Sequence, residues 1–135
     1  MSKQRHISRL ASPRSWQVAR KATKWIAKPM PGPRTKAEGI PLVVLLRDVV
    51  GMIENQRELK YLINTKQILV NGKLYRETRF PVGLFDVISF PTVKKHYRVV
   101  LTTLGKLQAT EISDKEANTL LLQVNEKKSI KGGKL

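Results

Sequence analysis

Ten basic residues and no acid occupy the first 36 positions of this chain, and that segment closes in Lys28-Pro29-Met30-Pro31-Gly32-Pro33-Arg34. Three prolines in seven residues bar a regular helix or a central strand, so the segment is predicted to be an extended, semi-rigid arm. The other 99 residues hold 16 Lys and Arg together with all ten Asp and Glu, so +10 of the formal +16 net charge lies in the arm. Cations at this density repel one another unless a polyanion neutralises them, which points to a nucleic-acid partner. The arm has too little apolar surface to order itself, and it is expected to be disordered in solution and ordered on its partner.

Several classes are excluded at the outset. With 135 residues the chain has room for one or two small domains of modest core. It has no cysteine, which removes disulfides, thiolate metal sites and thiol nucleophiles. The longest apolar run, Ile40 to Leu46, stops at Arg47 and falls far short of the roughly 20 residues of a membrane span. Lys, Arg and Ser interrupt the N-terminus where a secretory signal needs an apolar core. A basic, acid-poor start also suits a mitochondrial transit peptide, but Trp16, Trp25 and the proline-rich close oppose that reading, and a cytoplasmic location is expected.

After the arm, Pro41 suits the first turn of a helix, and Leu42, Leu45, Leu46, Val49 and Ile53 follow on one stripe. Asn55 and Glu58 have the spacing of a capping box before a second helix with Leu59, Leu62 and Ile63 inward. The two helices should form a hairpin. Arg57, Lys60, Tyr61 and Asn64 share the outer face of the second, where a merely solvated surface and an RNA contact both fit. Ile68-Leu69-Val70 runs into Asn71-Gly72 and Lys73-Leu74-Tyr75 as a predicted β-hairpin. Phe80 to Phe90 reads as a turn followed by a buried strand, closing a domain over residues 37–92. Residues 93–135 read as a β-rich domain: Tyr97 to Thr103 and Lys106 to Ile112 joined through Leu104-Gly105, a helical turn capped by Ser113 and Glu116, and a strand from Leu120 to Val124. Ile130 to Leu135 starts a hairpin without its return strand, so this domain is expected to be incomplete or completed by a partner.

The arm interleaves rings with cations: His6 beside Arg5 and Arg9, Trp16 between Arg14 and Arg20, Trp25 beside Lys24 and Lys28. Rings stack on unpaired bases while cations meet phosphates, a combination suited to folded RNA with loops and bulges. Alternatively Trp16 and Trp25 anchor the arm to the folded body. Catalytic signals are nearly absent. His6 and His96 lie 90 residues apart without clustered carboxylates, which suggests no metal site and no acid–base pair; each is better read as solvated or phosphate-contacting. Asp86, alone among apolar neighbours, is expected to bind turn amides.

These pieces, in this order, resemble the ribosomal protein family S-four-e of archaea and eukaryotes. The resemblance is carried by Arg5 to Trp16 at the start and by Gly32-Pro33-Arg34, with Arg where the family usually has His. Ile40 to Asp48, Val70-Asn71-Gly72-Lys73 and Phe80 to Ile88 resemble the family's S-four-type RNA-binding domain. Tyr97-Arg98, Gly105-Lys106-Leu107 and Ile112 to Ala117 resemble its central domain. The resemblance implies a structural constituent of the small ribosomal subunit, contacting ribosomal RNA and neighbouring ribosomal proteins. It implies no enzyme, cofactor, metal, membrane or small-molecule substrate. Family members continue past the position of Leu135, and the absence of a cysteine before the first helix suggests an archaeal-type member.

The expected architecture is therefore α+β: an extended basic N-terminal arm (1–36), a helix hairpin with a small sheet (37–92) and an incomplete β-rich domain (93–135). Candidate RNA contacts in the arm are Lys3, Arg5, His6, Arg9, Arg14, Trp16, Arg20, Lys24, Trp25, Lys28 and Arg34. In the body they are Arg47, Arg57, Lys60, Lys66 and Lys73. If six to ten of these cations meet phosphates, affinity should fall by roughly 10³ to 10⁵ between 50 and 200 mM salt. Two rival readings are an RNA-modifying enzyme, which would need a further catalytic domain, and a general nucleic-acid binder.

Overall fold

The computed structural model describes residues 4–120, 124 and 126–128. Lys3 and the hairpin expected from Ile130 lie outside the described residues, as does most of the strand expected over Leu120 to Val124.

The basic segment is not an extended arm. Strands β1 (His6–Ser8) and β2 (Trp25–Ala27) pair antiparallel, with His6 opposite Ala27, Ile7 opposite Ile26 and Ser8 opposite Trp25. Side chains alternate across such a ribbon, so the register that buries Ile26 inward turns Trp25 outward. The loop between the strands is gathered around Arg9, which is only 4% exposed. Its Nε donates to Thr23 Oγ1 (3.0 Å) and its Nη1 to the Ala19 carbonyl (2.8 Å). Trp16 is buried and donates its indole N–H to the Gly39 carbonyl (3.2 Å). These groups supply the apolar and hydrogen-bonding surface that composition does not reveal, and they pack the N-terminal segment against the body.

Strand β3 (Gly39–Pro41) leads into helix α1 (Leu42–Val44), which continues as a π-type stretch over Leu45–Val50. Leu42 to Leu46 are all buried, a block rather than a stripe, because the helix is packed on more than one side. It ends at Gly51, whose left-handed φ of 73° lets its N–H return to the Leu46 carbonyl, so Ile53 reaches the core from the linker and not from the helix. Helix α2 (Gln56–Asn64) buries Leu59 and Ile63 as its spacing predicts. Its expected capping box is not formed: the Asn55 side chain makes no cap bond, and Glu58 Oε2 accepts instead from the Glu54 amide (2.8 Å).

The Asn71-Gly72 turn forms with positive φ at both residues, 50° and 72°, but the hairpin is one bridge long, Val70 to Lys73. Strand β4 (Leu69–Val70) takes its main partner from farther along the chain. Strand β5 (Pro81–Gly83) pairs with β3, and β6 (Val87–Phe90), β7 (Lys95–Leu101) and β8 (Leu107–Ile112) complete a four-stranded antiparallel sheet in the order β4-β6-β7-β8. The boundary expected at residue 92 thus falls inside a turn of one continuous sheet. Gly105, at φ 70°, turns β7 into β8 as expected, and helix α3 (Asp114–Ala117) carries the predicted Ser113–Glu116 capping box. One core links helices, sheets and N-terminal ribbon, from Trp16 and Ile26 through Leu45 and Leu59 to Ile88, Val99 and Leu107.

Candidate nucleic-acid interface

The loop at residues 76–79 is held from both sides by its backbone. The Thr78 carbonyl accepts from the Val43 N–H at the start of α1 (3.0 Å), and the Arg79 carbonyl accepts from the Met30 N–H of the proline-rich strap (3.0 Å). Gln56 Nε2 donates to Thr78 Oγ1 (2.9 Å), fastening the same loop to the first turn of α2. Between this loop, α2 and the β1–β2 ribbon lies a polar cleft of about 300 Å³ whose walls carry Arg5, His6, Lys60, Arg76 and Arg79, with Glu77 the one acid. Among the described residues none of Arg5, Lys60, Arg76 and Arg79 is drawn into an ion pair.

Two further depressions adjoin this cleft. Arg5 and His6 also border a mainly apolar recess of about 350 Å³ that includes Trp25, which is 53% exposed. Arg79 also borders a broader hollow of about 590 Å³ against Lys28, Arg34, Lys36 and the prolines of the strap. Positive charge from the N-terminal segment, α2 and the 76–79 loop is thereby gathered on one side. Arg76 and Arg79 were not among the residues expected from sequence, because an unpatterned loop gives no periodic signal. Only the folding of the ribbon against α2 brings them beside Arg5 and Lys60.

The other expected residues divide. Trp16 and Arg9 belong to the fold, so neither offers a stacking ring or a free cation to a nucleic acid. Arg34 is also used internally. It crosses the paired Gly39 and Gly83, where a Cβ on either glycine would come within 2.9 Å of its side chain. Its Nη2 donates to the Leu84 carbonyl (3.2 Å) and to Asp86 Oδ1 (3.1 Å). Asp86 Oδ2 accepts the Gly83 amide (2.7 Å), the turn-amide role expected for it, and Asn71 Nδ2 donates to Oδ1 (2.9 Å). Arg47 is paired with Asp48 (2.9 Å); that hydrogen bond favours the charged form and raises the Arg47 pKa above its ordinary value.

Arg57 and Tyr61 line a separate depression with Met52 and Leu62, while Lys60 faces the cleft, so the outer face of α2 is split between two surroundings. Arg14, Arg20, Lys24, Lys66 and Lys73 are exposed and border none of the three depressions. His96 is neither solvated nor placed for phosphate: Nδ1 meets Ser89 Oγ (2.9 Å) and Nε2 meets Asp114 Oδ1 (3.0 Å). Among the described residues no cluster of His and carboxylates could hold a metal, and no helix is long and apolar enough to cross a membrane.

Two family models match the chain, one described as the RS4NT (NUC023) domain over residues 1–36 and one as Ribosomal family S4e over residues 93–135. Among curated relatives, small ribosomal subunit protein eS4 of Nanoarchaeum equitans is 45% identical over 132 residues, covering 97% of this chain and 56% of that protein. Small ribosomal subunit protein eS4 of Methanocella arvoryzae is 39% identical over 130 residues, covering 96% of this chain and 55% of that one. A crystal structure of the 30S ribosomal protein S4e from Thermoplasma acidophilum aligns at 29% identity with a TM-score of 0.49, over 59% of this chain and 41% of that chain. The chain spans a little over half the length of the curated relatives it matches.

Proposed function

The chain belongs to the ribosomal S4e family, which is not an enzyme family, and from that premise we propose that it is a structural constituent of the small ribosomal subunit that binds folded ribosomal RNA. The observation that carries this reading is alignment of nearly the whole chain with proteins named as small-subunit components. The physical support is the one-sided gathering of unpaired cations around the polar cleft, because counterion release at phosphates supplies most of the affinity of such a surface. Its partners are small-subunit ribosomal RNA and neighbouring ribosomal proteins, its location is cytoplasmic on the ribosome, and it supports translation and subunit assembly.

Within that reading, residues 37–92 act as the S-four-type RNA-binding domain. The N-terminal segment serves as a folded ribbon rather than a loose arm, presenting Arg5, His6, Trp25 and Lys28 while Trp16 and Arg9 hold it to the body. Placement on the RNA comes from shape and stacking, since phosphate contacts alone carry no sequence information. Sedimentation of the native cellular protein through a high-salt gradient tests the proposal: it should travel with the small subunit. Release into the light fractions, or equal affinity for duplex DNA and ribosomal RNA at matched salt, would favour a general nucleic-acid binder instead.

A further inference from the structure

Trp25 stands outward on the same ribbon face as His6, because Ser8–Trp25 and His6–Ala27 are successive facing pairs and Ile7 and Ile26 point the other way. Diagonal neighbours of this kind lie close enough for an aromatic ring to reach. Lys24 Nζ sits 5.5 Å from the centroid of the Trp25 ring, a cation–π contact that covers one face at most. The recess bordered by Trp25, Arg5 and His6 is mainly apolar, whereas the adjoining cleft, which shares Arg5 and His6, is polar and carries Lys60, Arg76 and Arg79. An apolar aromatic hollow joined to a cationic one has the two-part chemistry of a nucleotide.

We propose that recess and cleft together bind one unpaired nucleotide of an RNA strand, its base stacked on Trp25 and its phosphate held in the cleft by Arg76 and Arg79. The proposal deepens the RNA-binding reading above and rests on it. A paired base has both faces covered by its neighbours in the helix, so face-on contact with a recessed ring selects a bulged or looped-out base over duplex. Stacking is indifferent to base identity, and the site reads strand conformation rather than sequence.

The test uses the full chain and two blunt-ended RNA duplexes that differ only by a single bulged uridine, titrated at matched salt. The bulged duplex should bind about 30-fold tighter, the middle of the range expected for one base on one aromatic ring. It should also quench tryptophan emission, and Trp25→Phe should abolish the quenching, since Trp16 is buried and serves as the internal control. Trp25→Ala should erase the preference, so that the two duplexes bind alike. Arg76→Gln with Arg79→Gln should weaken both complexes and lower the salt slope by about 1 to 2. Unchanged Trp16 emission in the two Trp25 variants, and an unchanged far-UV circular dichroism spectrum in the arginine variant, report an intact fold. Equal affinity of the wild-type chain for both duplexes, or a preference that survives Trp25→Ala, overturns the proposal. A parallel titration with small-subunit ribosomal RNA and an unrelated RNA of equal length keeps the two readings apart. Loss of preference there removes the ribosomal assignment and leaves the nucleotide site standing, whereas a ribosomal preference without bulge selectivity removes only the site.

Discussion

Replacing Trp16 by alanine should loosen the N-terminal ribbon from the body and cost about 3–5 kcal/mol, the usual range for truncating a buried tryptophan. The side chain is 3% exposed and its indole N–H is accepted by the Gly39 carbonyl at 3.2 Å. Its backbone is also tied in, by a bridge to Leu107 and by the Leu107 N–H donating to the Ser15 carbonyl (2.7 Å). Domains of this size have about 5–15 kcal/mol in all, so the loss is a large fraction of the total. With a urea slope of about 2 kcal/mol per molar, the unfolding midpoint should fall by about 2 M. Trp16→Phe retains most of the packing and loses the donated hydrogen bond, a cost of about 1 kcal/mol. Urea unfolding followed by far-UV circular dichroism reads both variants, and limited proteolysis without RNA reads the ribbon itself. If Trp16→Ala leaves the midpoint unchanged and residues 4–36 are cleaved as fast as in denatured protein, the segment is a loose arm and the reasoning is refuted.

Asp86→Asn removes one acceptor from a carboxylate that receives the Gly83 amide, Asn71 and Arg34, and should destabilise the chain by about 2 kcal/mol; a thermal midpoint equal to wild type would count against the network. Lys60→Gln should lower the slope of log affinity for ribosomal RNA against log salt by about 1, whereas Arg47→Gln, whose guanidinium is engaged by Asp48, should lower it by distinctly less. The same slope change for both would show that pairing does not withhold Arg47. Hydrogen bonds from the Ser113 backbone amide hold the Glu116 carboxyl below its ordinary 4.5. A depressed carboxylate contributes its stabilisation above the unfolded value and loses it as pH falls through the folded one. The α3 cap should therefore stay intact down to 4.5 and open below it, and an NMR titration of the Ser113 amide with a midpoint at or above 4.5 would disprove that.

Local signals were legible wherever the chemistry is local. Asn71-Gly72 and Gly105 form their turns, Ser113 and Glu116 form their box, and Leu59 and Ile63 face inward, because each depends on residues a few positions apart. The family, too, could be recognised from the order of short motifs. The failures differ in cause. Asn55 and Glu58 have capping-box spacing, yet the carboxylate takes the amide of Glu54, an equally local alternative; the strand after Asn71-Gly72 was given up because β6 offered β4 a longer and better buried partner.

The basic segment shows the division most clearly. Its composition determined a net charge of +10, which stays positive in any fold. Only the tertiary structure decided which of those charges remain available. Arg9 and Arg34 are taken up by carbonyls and a carboxylate from distant stretches of chain, and Trp16 by the core, while Arg76 and Arg79 come to stand beside Arg5 and Lys60. Charge is a sum over residues and can be read from a list. A cleft is a juxtaposition of segments from 16 to 74 positions apart, set by burial and hydrogen-bond partners that no local pattern records.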